Sequence, residues 1–176
     1  MPSRPAPTRA GWWSSTPAGH RIGRRCYGSW ILASFVDWHD DWALGVPALD
    51  AQHRELADCL NRLAEASAGE GSDPATLKSL ATELCTRARR HFRYEEDLMR
   101  ASGYPGLVEH AREHAMLLAE LKSSFDRHLD AQTSRLPPDL LAALRTWLVV
   151  HIVHDDRDLA EHLRHTTAAN GGAGRG

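Results

Sequence analysis

Cysteine is scarce in this 176-residue chain, long apolar runs are missing, and acidic residues are absent from its first 36 positions. Cys26, Cys59 and Cys85 are an odd number, widely spaced and without a CxxC, which argues against both a disulfide framework and a thiolate zinc site. A reducing, cytoplasmic setting is the simplest reading. No stretch reaches the ~18 consecutive apolar residues that a membrane span requires. The run from Trp30 to Val36, broken by Ser34, is too short for the apolar core of a signal peptide. The missing acids leave residues 1–36 with Arg4, Arg9, Arg21, Arg24 and Arg25 as their only formal charges, so the rest of the chain is acidic and nucleic acid is not expected as the main partner. What the chain has in excess is histidine, with 11 residues.

Residues 1–35, rich in Pro, Gly, Ser, Arg and Trp without a sustained period, read as a mostly disordered extension, and residues 166–176 as a small, Gly-rich disordered tail. Between them apolar residues recur four times at helical spacing. The first segment, about Pro47 to Ala66, carries Leu49, His53, Leu56, Leu60 and Leu63 on one stripe. The second opens on Asp73 as N-cap with Pro74 behind it, runs through Leu77, Leu80, Leu84, Ala88, His91, Glu95 and Leu98, and stops at Ser102-Gly103. The third starts near Pro105 with Leu107, His110, His114, Leu117, Leu121 and Phe125 facing inward. The fourth follows Leu136-Pro-Pro-Asp139 and carries Leu141, Leu144, Leu148, His151, Ile152 and Leu159. No strand signal competes, so the expected fold is all-α, an up-down-up-down four-helix bundle over residues 36–165.

One imidazole on an apolar seam is most often a hydrogen-bonded core residue. Here all four seams carry ligand-type side chains: His53; His91 and Glu95; His110 and His114; His151 with Asp155 or Asp156. Five imidazoles and two carboxylates would be costly to bury without a common partner. The pairs His91/Glu95 and His110/His114 are i,i+4, about 40° apart around a helix, so both members of each reach the same space. Imidazole and carboxylate ligands without thiolate suit iron, zinc, copper or manganese. Seven ligands are too many for one tetrahedral ion, whereas two ions sharing the carboxylates use all seven and leave one position open if each is six-coordinate with a bridging oxygen.

These residues closely resemble the hemerythrin family, specifically its single-domain bacterial members. The resemblance lies in Trp42-Ala-Leu-Gly-Val-Pro-Ala-Leu-Asp50-Ala-Gln-His53, His91-Phe-Arg-Tyr-Glu95-Glu-Asp-Leu-Met99, Tyr104-Pro105 followed by His110-x3-His114, and Trp147-Leu-Val-Val-His151-Ile-x3-Asp156. It implies two non-haem iron ions, Fe2+ or Fe3+, with a bridging oxo or hydroxo group. His110, His114 and His151 would hold one iron, His53 and His91 the other, and Glu95 and Asp156 would bridge them. On the fourth helix simple facing prefers Asp155, at i,i+4 from His151, while the family pattern prefers Asp156, offset by about 140° on an α-helix. The family pattern is followed, on the ground that a bridging carboxylate can approach from the side.

The implied function is reversible binding of O2 by a non-enzyme, as carrier, store or sensor. The rivals are a di-iron enzyme with peroxidase-like, nitric-oxide-reducing or ferroxidase activity, and an iron store. The paired Glu-x-x-His motifs of ferritin-like catalytic sites do not occur in the chain. Leu56, Leu117, Leu148 and Ile152 are expected around the pocket. Glu96 and Asp97 are expected to face solvent or to support the ligands from behind. Trp38 and Trp42 should pack the incoming segment on the bundle, Trp147 should pack at a helix interface, and His39, His128, His154, His162 and His165 should lie on the surface.

Overall fold

A computed structural model of the chain describes residues 34–69, 73–130 and 132–172, with side chains as far as residue 166. The expectation of a disordered extension over residues 1–35 therefore falls almost wholly outside the described residues. After a short 3₁₀ turn at Asp40–Trp42 come α1 (Pro47–Ala68), α2 (Pro74–Ser102), α3 (Leu107–His128), α4 (Pro138–Val150) and α5 (Asp156–Gly172), with one π-helical turn, His151–Asp155, between the last two. There is no strand among the described residues. The architecture is the expected all-α, up-down-up-down four-helix bundle, its fourth helix composed of α4, the π turn and α5. Helix α1 packs against α2 and α4, and α2 also packs against α3 and α5.

Local chemistry explains most of the boundaries. Asp73 caps α2 by accepting from the backbone N–H groups of Ala75 and Thr76 at 3.2 and 3.1 Å, with Pro74 at the position where a missing N–H costs nothing. Gly103 ends α2 in the left-handed region, φ 65°, and the Tyr104 N–H returns to the Met99 carbonyl at 2.9 Å. Tyr104, Pro105 and Gly106 are spent in this turn, so α3 starts at Leu107. The incoming segment is fastened to α1 by the Asn61 side chain, which accepts from the Val36 N–H at 2.6 Å and donates to the Val36 carbonyl at 3.0 Å. Trp38 and Trp42 meet edge to face at 5.6 Å and pack against the core, with the Arg54 guanidinium 4.9 Å from the Trp38 ring.

The fourth segment differs from the single regular helix that its periodicity suggests. Its backbone stays right-handed throughout, with φ −58° and ψ −52° at His151 and φ −77° and ψ −21° at Asp156. The Asp156 N–H nevertheless donates to the His151 carbonyl, five residues back, so the turn holds one residue more than an α-turn. Helix α5 is described as far as Gly172.

The bundle interior has two apolar clusters. The larger includes Leu56, Leu60, Leu63, Leu77, Leu84, Phe92, Leu121, Phe125, Leu144, Leu148 and Ile152. The smaller, further along the helices, joins Leu44, Leu49, Met99, Leu159 and Ala160. Full burial of each Leu or Phe contributes about 1.5–3 kcal/mol. Along α1 His53 falls between Leu49 and Leu56, along α2 Glu95 falls between Phe92 and Met99, and past the π turn Asp156 falls between Ile152 and Leu159. The polar residues thus form a layer with apolar packing on both sides.

Candidate metal centre

All seven sequence-predicted side chains are buried, and the bundle brings them together. His53, Glu95 and Asp156 are wholly inaccessible, while His91, His110, His114 and His151 are at most 6% exposed. Their ligand atoms form two overlapping groups, each mutually within 4.8 Å: Glu95, His110, His114, His151 and Asp156 in one, and His53, His91, Glu95 and Asp156 in the other. The two carboxylates belong to both. Asp156 divides its oxygens between them. Its Oδ1 lies 3.4 Å from His110 Nε2 and 3.2 Å from His151 Nε2, and its Oδ2 lies 3.1 Å from His53 Nε2 and 3.9 Å from His91 Nε2. Glu95 Oε2 is 3.2 Å from His114 Nε2 and 3.5 Å from His91 Nε2.

The π turn explains how an i,i+5 pair can share a site. On an α-helix five residues advance about 500°, which leaves Asp156 about 140° away from His151. The wider turn takes up the extra residue and stacks Asp156 above His151, with the same two residues closing its hydrogen bond. This replaces the sideways approach expected from the sequence. Asp155, the other candidate, is 24% exposed at its side chain and sits behind the ligand layer, with Oδ2 3.4 Å from His151 Nδ1.

The outer ring nitrogens reveal residues that the sequence did not mark as part of the site. Gln52 Oε1 lies 3.1 Å from His91 Nδ1, and Glu96 Oε1 lies 3.3 Å from His114 Nδ1. Glu96, which was expected in front of solvent or behind a ligand, takes the second place. The only signal for Asp155 was its i,i+4 spacing from His151, and Gln52 had none because its contact depends on how α1 meets α2. Phe92, also unmarked, stacks face to face on His114 at 3.9 Å and meets His151 edge-on at 5.1 Å. Among the histidines expected on the surface, His162 is half-buried, with Nε2 3.0 Å from the Ser102 carbonyl and its ring against Tyr104. Its place beside the α2 terminus, not its sequence, draws it in.

Burial shapes the charge state of the cluster. It pushes the His91 imidazole well below its usual range and that of His114 down to about 2, so both present neutral nitrogens, the form in which imidazole binds metals. Burial and the negative Asp156 together push Glu95 well above the usual carboxylate range. For Asp156 burial alone would act the same way, but the close imidazoles of His151, His110 and His53 hold it well below that range. Burial likewise opposes charge on His151, and Asp156, Asp155 and Glu95 overcome it.

Close approach does not amount to hydrogen bonding. Both oxygens of Glu95, both oxygens of Asp156 and the Nε2 atoms of His110, His114 and His151 are buried without a hydrogen-bond partner. Orphaned carboxylate oxygens in a dry interior cost several kcal/mol each unless paired or bound to a cation. A donor set of imidazole and carboxylate, free of thiolate and directed at two points, fits two divalent or trivalent ions of the iron type.

Residues 44–163 match the family model described as the Hemerythrin HHE cation binding domain. The chain is 30% identical over 130 residues to a bacteriohemerythrin of Stenotrophomonas maltophilia, covering 72% of this chain and 80% of that protein. It is 31% identical over 115 residues to the myohemerythrin of Riftia pachyptila, covering 65% of this chain and 82% of the other. A solved structure of a hemerythrin point mutant superposes with a TM-score of 0.66 at 23% identity, over 74% of this chain and 98% of that one, and is alike in fold.

Proposed function

The chain belongs to the hemerythrin family, and from that premise we propose that it binds O2 reversibly at a non-haem di-iron centre, as an oxygen-binding protein and not as an enzyme. His110, His114 and His151 would hold one iron, His53 and His91 would hold the other, and Glu95 and Asp156 would serve both. The observation that carries this reading is the pair of overlapping ligand groups with two carboxylates in common. The iron pair, when bound, supplies electrons to O2 that return when O2 leaves.

What the protein's own residues do follows from their placement. The group with two imidazoles has one donor fewer, which makes it the side proposed to take a small molecule. Leu56, Leu148 and Ile152 are 2% exposed or less and Phe92 stacks on His114, which keeps bulk water from the ligand layer. Leu117, expected to join this lining, is half-buried against the larger apolar cluster. Cys59 and Cys85 are free, and burial pushes the Cys59 thiol up to about 11; the working compartment proposed is a reducing cytoplasm, as the widely spaced cysteines suggest. Among the described residues no helix is long and apolar enough to cross a membrane.

The test is to reduce the purified full chain without oxygen and then admit air. A visible band that appears with air and disappears when oxygen is removed is the expected result. Zinc in place of iron with no such band would overturn the reading, and rapid irreversible bleaching would move it to a di-iron oxidase.

A further inference from the structure

The two halves of the metal layer are supported differently from behind. In the half with three imidazoles, carboxylates stand at two outer nitrogens: Glu96 Oε1 3.3 Å from His114 Nδ1, and Asp155 Oδ2 3.4 Å from His151 Nδ1. In the half with two imidazoles, the outer nitrogen of His91 meets the neutral amide of Gln52 at 3.1 Å, and that of His53 is buried without a hydrogen-bond partner. Glu96 is itself held, its Oε2 accepting from the Arg100 guanidinium at 3.0 Å.

A carboxylate that accepts the Nδ1–H fixes the proton on that nitrogen, leaves Nε2 free for the metal and draws the ring toward imidazolate, which makes it a stronger donor. An amide acceptor fixes the tautomer but adds no negative charge. We propose that Glu96 and Asp155 are positioning residues that make the three-imidazole half the stronger donor, so that the two metals differ in affinity and reduction potential, with Gln52 keeping the other half electron-poor. This rests on the di-iron reading, and it assigns the asymmetry to second-layer charge in addition to ligand number. Both carboxylates are only partly buried, with side chains 22% and 24% exposed, so replacing them leaves the sealed layer of ligands and leucines intact.

The experiment uses the full chain loaded with iron and three conservative variants, Glu96→Gln, Asp155→Asn and Gln52→Glu. The measurements are midpoint potential, rate of iron loss to a chelator, and thermal stability of the metal-free chains. Glu96→Gln and Asp155→Asn should raise the potential and speed the loss of one iron about 10–100-fold, the usual cost of removing an outer partner of a metal ligand. Gln52→Glu should lower the potential. Damage to the fold would not move the two kinds of variant in opposite directions. Unchanged potentials in Glu96→Gln and Asp155→Asn, equal acceleration of both irons, or a shift of the same sign in Gln52→Glu would each overturn the proposal. Failure of the unaltered chain to hold iron would instead overturn the di-iron reading on which it stands.

Discussion

Helix α3 and the fourth helix each contribute two side chains of the proposed ligand set to the same layer by different means. In α3, His110 and His114 are i,i+4 on a regular helix and arrive on one face without special backbone. In the fourth helix, His151 and Asp156 are i,i+5 and arrive together only because the chain between them is wound as a π turn. Ligand spacing in sequence therefore has meaning only together with the winding of the helix that carries it. The wider turn also leaves Asp155 behind His151 instead of in the layer, so one added residue supplies both an inner and an outer carboxylate.

Single deletions should separate the two helices most sharply. Removing Ala111 turns His110 and His114 into an i,i+3 pair and rotates everything after it by about 100°, which takes Leu121 and Phe125 off the core. Iron content should fall to near zero with a large drop in melting temperature. Removing Val153 makes Asp156 the i+4 neighbour of His151, so the existing Asp156 N–H to His151 carbonyl bond becomes an ordinary α-helical one and α5 keeps its phase. That variant should keep its iron and most of its stability. Equal loss from both deletions, measured by elemental analysis and circular dichroism, would contradict the role given to the π turn.

The next largest contrast lies inside the turn. Asp156→Ala removes the side chain whose two oxygens face the two imidazole groups, and should lose most of its iron during purification. Asp155→Ala removes a half-exposed outer partner, and should retain iron in the absence of a chelator. Iron counts that reverse this order would return the bridging role to Asp155. The smallest effect concerns packing. Ile152 is fully buried in the π turn and Leu121 is 3% exposed on α3, so both pack as core residues. Ile152→Val should cost about 0.5–1.5 kcal/mol and Leu121→Ala about 2–5 kcal/mol in chemical denaturation. No measurable cost at Ile152 would mean that the π turn is loosely packed.

The same pair of helices shows how much was legible in the sequence. Helical period and punctuation located the four segments, and the capping residue Asp73 and the stop at Gly103 behave as their chemistry dictates. The ligand-type residues stood out because imidazole and carboxylate interrupted apolar seams. The π turn was not legible, because a 3.6-residue period cannot register a single wide turn; the awkward i,i+5 spacing was its only trace. Gln52 and Glu96 acquire their roles from the contact of α1 with α2 and of α2 with α3, and tertiary neighbours of that kind leave no periodic mark. Phe92 escaped notice because a stripe of one residue in three or four underestimates how wide a face α2 buries between its partners.

The central claim, that two irons are held by five imidazoles and share Glu95 and Asp156, is tested most directly by elemental analysis combined with Mössbauer spectroscopy of the iron-loaded full chain. The account predicts two irons per chain, one for each ligand group, magnetically coupled because they share bridging groups. A single ion per chain, or two ions without coupling, would contradict it.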